Sequence, residues 1–142
     1  MSWGEGDRDR RLAGVVRFGR VTAVDPAAAR ARVFLGGEAE STWLPWLAER
    51  ASKISVWAPV AVGEQVVVVS PSGDTAQGVI AGSVFSAANG APSSDPEEYL
   101  ITIGGSSVSV TPDAITFRSN GSTLRLDASG VHLDGAQIRL NG

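Results

Sequence analysis

Six pairs of apolar residues, the members of each pair two positions apart, run through the last third of the chain: Ile101/Ile103, Val108/Val110, Ile115/Phe117, Leu124/Leu126, Val131/Leu133 and Ile138/Leu140. First members of successive pairs are 7, 7, 9, 7 and 7 residues apart. A spacing of seven invites a coiled coil. A helix, however, would turn residues two apart about 200° around its axis, whereas a strand sets them on one face. The separators GGSS, TPD, SNGS, DASG and DGA are turn-formers that a heptad seam does not tolerate. The pattern predicts a row of very short β-strands over residues 100–142.

Strands with two inward residues each bury little. At about 25 cal/mol per Å² of apolar surface, against roughly 1–2 kcal/mol per residue of ordering entropy, the row should not fold alone. Copies wound about a common axis would bring the apolar residues into one dry core and close the open edges. This reasoning requires more than one copy and does not choose the number.

The remainder of the chain constrains its chemistry. With no cysteine, it has no disulfide, thiolate metal site or cysteine nucleophile. One histidine, His132, removes most histidine chemistry. Net charge is −3, and neither the body nor the tail carries the basic excess usual for nucleic-acid binding. The start, MSWGEGDRDRRLAG, is charged and has no apolar run of signal-peptide length. No segment approaches the roughly 20 apolar residues of a membrane-spanning helix. The expectation is synthesis in the cytoplasm without a signal peptide.

Texture divides the chain into an N-terminal arm (1–14), a β-rich body (15–90), a linker (91–99) and the strand row (100–142). In the body, Val15–Val24, Arg30–Leu35, Glu38–Leu44, Gln65–Ser70 and Thr75–Phe85 read as strands. Asp25-Pro26, Gly36-Gly37 and Pro71–Asp74 supply turns. Pro45–Lys53 is expected to hold a short helical turn. Five strands joined by tight turns suggest a small closed barrel of the oligonucleotide/oligosaccharide-binding (OB) type. The predicted fold is all-β, an OB-fold barrel followed by a short intertwined β-helix of more than one copy, which the resemblance described next makes trimeric.

The body also carries an ordered motif string: Gly19-Arg20-Val21, Val24-Asp25, Arg32-Val33, Trp43-Leu44-Pro45-Trp46-Leu47, Arg50-Ala51, Trp57-Ala58-Pro59 and Gly63-Glu64-Gln65-Val66. From about residue 14 to 90 it resembles the baseplate assembly protein V family. These are central spikes of contractile phage tails, related to the spikes of type VI secretion and R-type bacteriocins. The resemblance implies a non-enzymatic homotrimer in a virion tail baseplate, docked on hub proteins and driven through the host outer membrane when the sheath contracts. Under it, Ile101, Ile103, Val108, Val110, Ile115, Phe117, Leu124, Leu126, Val131, Leu133, Ile138 and Leu140 form the trimer core. Many members end in a tip whose His-x-His pairs hold iron. Here the sequence ends Leu140-Asn141-Gly142 without such a pair, so these residues are expected to dock a separate PAAR-type tip protein, and no cofactor or metal is expected.

Other residues invite sharper readings. Trp3, Trp43, Trp46 and Trp57 could stack bases, the basis of an alternative reading as a single-stranded nucleic-acid-binding OB module. Lacking a basic groove around them, Trp43, Trp46 and Trp57 are assigned to packing in the barrel and between protomers. Glu64 and Asp25 could form a glycosidase pair, as in a wall-degrading tail enzyme. Both sit in turns, which favours structural roles. His132, between Val131 and Leu133, is expected to point outward, where three copies cannot converge on one ion. Asn120-Gly121-Ser122 matches a glycosylation sequon but reads as a hairpin turn. Asp7–Arg11 could dock on the hub.

Overall fold

In this computed structural model, residues 8, 14–37 and 39–141 are described; the arm, apart from Arg8 and Gly14, lies outside them. The chain forms two compact units, Met1–Gly90 and Ala91–Gly142.

The first unit is a curled antiparallel sheet. Its strands are β1 (Val16–Asp25), β2 (Arg30–Gly36), β3 (Ala39–Glu40), β4 (Leu44–Pro45), β5 (Gln65–Val69) and β6 (Val79–Val84). They run in the order β3-β2-β1-β5-β6, with β4 also paired to β2. A register shift between Val21 and Ala23 of β1 gives the local bend that a bulge supplies. The sheet then curls far enough for β4 to reach β6. Trp46 makes a parallel bridge to Ile80, and the Leu47 amide donates to the Ile80 carbonyl at 2.9 Å. The ring β1-β2-β4-β6-β5 is thereby closed, as a five-stranded OB barrel requires.

Alternation decides what fills the barrel. Val21, Ala31, Val33, Leu44, Val66, Val68 and Ile80 are buried, and Val24, Leu35, Trp46 and Val60 pack against them. The all-apolar β5 therefore serves two surfaces: Val66 and Val68 face the core while Val67 and Val69 point away from it. Gly19 of β1 lies tight against β2. A Cβ there would meet Val33 Cγ1 at 2.3 Å and the Phe34 carbonyl oxygen at 2.9 Å.

Three details of the first unit differ from the sequence reading. Pro45–Lys53 forms no helical turn; a bridge between Ala51 and Ser55 ties that loop instead. The stretch expected as strand from Thr75 opens as a 3-10 turn, Thr75–Gln77, because Asp74 accepts the Ala76 amide at 3.0 Å. The expected third strand is split into β3 and β4, with Ser41 between them accepting the Val33 amide on its hydroxyl at 2.9 Å.

The second unit is a five-stranded antiparallel meander: β7 (Tyr99–Ile103), β8 (Ser106–Val110), β9 (Ala114–Ser119), β10 (Ser122–Asp127) and β11 (Gly130–Asp134), adjacent in chain order. Five strands replace the six expected. Ile138 and Leu140 lie past β11 outside any strand, since DGA leaves β11 without turning the chain back onto it. Between β9 and β10, Asn120 at φ 49° and Gly121 at φ 95° make the both-positive turn that an Asn-Gly hairpin adopts. Among the described residues no helix is long and apolar enough to cross a membrane.

The close approach at Gly19 generates a prediction. Gly19→Ala should destabilise the barrel by about 1–3 kcal/mol, the usual cost of overpacking, measured by urea unfolding. An unchanged midpoint would mean that β1 and β2 separate freely there.

Candidate assembly interface

Residues opposite one another in an antiparallel ladder share a face. Reading the registers across the second unit gives one row Ile101, Val108, Phe117, Leu124, Leu133 and a second row Tyr99, Val110, Ile115, Leu126, Val131. A shorter third row, Ile103, Ser106, Ser119, Ser122, closes one end, where the Ser106 and Ser119 hydroxyl oxygens are 2.7 Å apart. Ten of the twelve residues assigned to the shared core thus lie on a single face, joined by Tyr99. Ile138 and Leu140 stand outside it. The face is open: Ile101 is 55% exposed, Phe117 44% and Leu133 53%. Among the described residues of this unit none is buried. Curvature turns the face into a groove lined by Ile101, Ile103, Val108, Phe117 and Leu124.

The reverse face is polar. Leu100, Ser109, Thr116, Arg125 and His132 form one row; Thr102, Ser107, Arg118, Thr123 and Asp134 form the other. His132 therefore lies opposite the apolar rows, as alternation predicts. At its edge is a cluster that the sequence reading missed. The Ser129 hydroxyl donates to Asp127 Oδ1 at 2.7 Å and lies 2.9 Å from His132 Nε2, while that nitrogen is 3.1 Å from Asp127 Oδ1. Serine, histidine and aspartate together suggest a nucleophile with its base. A relay, however, needs the carboxylate and the hydroxyl on different imidazole nitrogens. Here both address Nε2, so no proton path from serine to carboxylate passes through the ring.

What the cluster does is brace a turn. The Ser129 backbone amide also donates to Asp127 Oδ1, at 2.9 Å, and Arg125 Nε donates to Oδ2 at 2.9 Å. The Ser129 hydroxyl foremost, then Arg125 and the Ser129 amide, hold the Asp127 carboxyl well below the usual carboxylate range. The signal was present in Asp127-Ala-Ser-Gly, an aspartate capping the amide two residues on.

In the barrel the three described tryptophans differ. Trp46 packs on the core, and Trp57, 61% exposed, sits against it with ring centroids 5.7 Å apart. Trp43 is outside, its ring covered by the Arg32 guanidinium at 5.3 Å, as Phe34 is by Arg20 at 5.5 Å. A guanidinium thus occupies the ring surface that a stacked base would use. Asp25 accepts the Ala28 amide at 3.3 Å inside its own turn, and Glu64 accepts the Ala61 amide at 3.2 Å and the Ser83 hydroxyl. Both candidate catalytic carboxylates are engaged in holding loops. Trp3 and Gly142 lie outside the described residues; Leu140 and Asn141 are exposed. Among the described residues no three His, Cys, Asp or Glu side chains are grouped to hold a metal ion.

Residues 17–85, which span the closed barrel, match the family model of the type VI secretion system/phage-baseplate injector OB domain. The first unit therefore carries the injector OB domain. A comparison with curated proteins finds no match. The match supports a structural baseplate role for that domain. In the loop from Leu47 to Val62, Leu47, Ile54, Trp57 and Val62 are exposed.

The depressed Asp127 carboxyl has a worked sign. Its stabilisation of the β10–β11 turn is complete above the unfolded carboxyl value of about 3.9. It is lost as pH falls below that value toward the lower folded one. Asp127→Asn should flatten the fall in thermal midpoint between about pH 5 and 2. An equal fall in the variant would show that the turn does not depend on this carboxylate.

Proposed function

We propose that the chain is the non-enzymatic central spike of a contractile injection baseplate, in a phage tail or bacteriocin, working as a homotrimer. Three copies cover the apolar face of the second unit by packing it about a common axis into a trimeric shaft of β-strands. The injector OB units ring that axis and dock on the baseplate hub. When the sheath contracts, the shaft passes through the host outer membrane as a rigid body.

The observation that carries this reading is the open face itself. Eleven apolar side chains in register, on a unit without one buried residue among those described, form more contiguous apolar surface than a monomer sustains. A reverse face bearing Arg118, Arg125, Asp127 and Asp134 is suited to water, so the sheet has one wet side and one that must be dry. The mechanical role follows from the ladder. Force along a shaft of transverse strands loads many hydrogen bonds together, and none yields alone.

Light scattering on the intact protein tests the proposal. The expected mass is three times that of the chain, and a monomer would overturn the spike reading. Phe117→Asp, placing a charge in the middle of the apolar row, should abolish the trimer at micromolar concentration. Thr116→Asp, one residue away on the reverse face, should leave it intact. Equal behaviour of the two variants would refute the assignment of faces. Salt-dependent binding of single-stranded nucleic acid by a monomeric protein would instead support the OB module as a nucleic-acid binder.

A further inference from the structure

We infer that each copy contributes one complete and uninterrupted face to the shaft, making it a three-sided prism of intact meanders rather than an interwound helix in which strands of three chains alternate. The inference rests on the trimer proposed above and concerns how its copies meet.

The turns carry it. Ladder pairs Ile103/Ser106, Thr111/Ala114, Ser119/Ser122 and Asp127/Gly130 each enclose two residues, so the turns begin at 104, 112, 120 and 128, a period of eight. A two-residue turn spans one strand spacing, about 4.8 Å. Admitting a strand of another chain between the two arms would double that gap to about 10 Å. The Asn120-Gly121 turn, with both φ positive, has no length to spare. The Asp127 cluster binds its own hairpin shut on the reverse face. Each of the four neighbouring strand pairs is thus held closed by local geometry, and no other copy can enter the ladder between them.

The uneven spacing of the apolar pairs has the same origin. In a meander, successive strands reverse, so a row visits residues 101, 108, 117, 124 and 133, with steps of 7, 9, 7 and 9. A chain advancing in one sense around an axis would repeat one step. Reversal at every turn accounts for the nine between Ile115 and Leu124, whereas the last seven, to Ile138, runs past β11 and outside the meander.

The occupant of each face follows. Two apolar rows run across all five strands, perpendicular to them, and the charged residues within the strands register on the reverse side. Such a face is met by a surface equally apolar, equally long and free of charge, because an unpaired charge buried against it would cost several kcal/mol. The same face of two further copies has those properties. In the prism the apolar rows run along the axis, the turns form the three corners, and β7 and β11 form the two ends of the shaft. Copies would therefore meet through side chains alone, without shared hydrogen-bond ladders.

Disulfide trapping distinguishes the two arrangements, since the chain has no cysteine of its own. Ser107→Cys with Arg118→Cys joins β8 to β9 on the reverse face; Thr116→Cys with Arg125→Cys joins β9 to β10. Each double variant is oxidised as the assembled protein, then run under denaturing, non-reducing conditions, with the assembled mass measured by light scattering. The prism predicts loss of both thiols at single-chain mobility in both variants, at a native mass of three chains. Covalently linked multimers, at the same native mass, would overturn the prism and leave the trimer standing. A native mass of one or two chains for the unmodified protein would overturn the trimer beneath it.

Discussion

The apolar face of the second unit cannot be satisfied by the sheet that carries it. A single antiparallel sheet has nothing to put on its own inner side, and the leading residues of its two apolar rows, Ile101 and Tyr99, are exposed. The other properties of the unit are consistent with that condition. Its turns are two residues long, so the rows stay in register across five strands. The strands' charged side chains are kept to the opposite side, where Arg125, Asp127 and His132 also strengthen the last hairpin. The dry side is uniform and the wet side carries the polar bonds.

The barrel solves the same problem internally. Its sheet bends at the register shift in β1 until Trp46 reaches Ile80, and seven side chains become buried. Closure leaves the barrel self-sufficient, which frees its outer surface for contacts. Val67 and Val69 on β5, Phe18 on β1 and the Trp57 loop are apolar positions that the core does not use.

Groups that look reactive in isolation prove to be committed to the backbone. Asp25 and Glu64 bond loop amides. Asp127 accepts from a hydroxyl, a guanidinium and an amide at once, and its partner serine shares a single imidazole nitrogen with it. Each arrangement ties a turn whose neighbours are strands. Local hydrogen bonding explains them.

Period-two alternation and turn dipeptides made most elements legible in advance. The strand pattern at Val108/Val110 and Leu124/Leu126, the Asn120-Gly121 turn and the outward side of His132 are local properties, written in neighbouring residues. The failures were of another kind. The alternation of Ile138/Leu140 reads as strand, yet a strand needs a partner ladder, and the chain beyond β11 does not turn back to form one. Pro45–Lys53 has residues acceptable in a helix, but the parallel bridge from Trp46 to Ile80 draws its start into the barrel wall. The sequence by itself determined which residues alternate, where the chain turns and that one apolar side of the row would want covering. Only the tertiary structure decided which strands lie side by side, that the barrel closes, and that the rows of the tail align into one face. Pairing joins residues far apart in the chain, and its register is set by the geometry of the whole sheet.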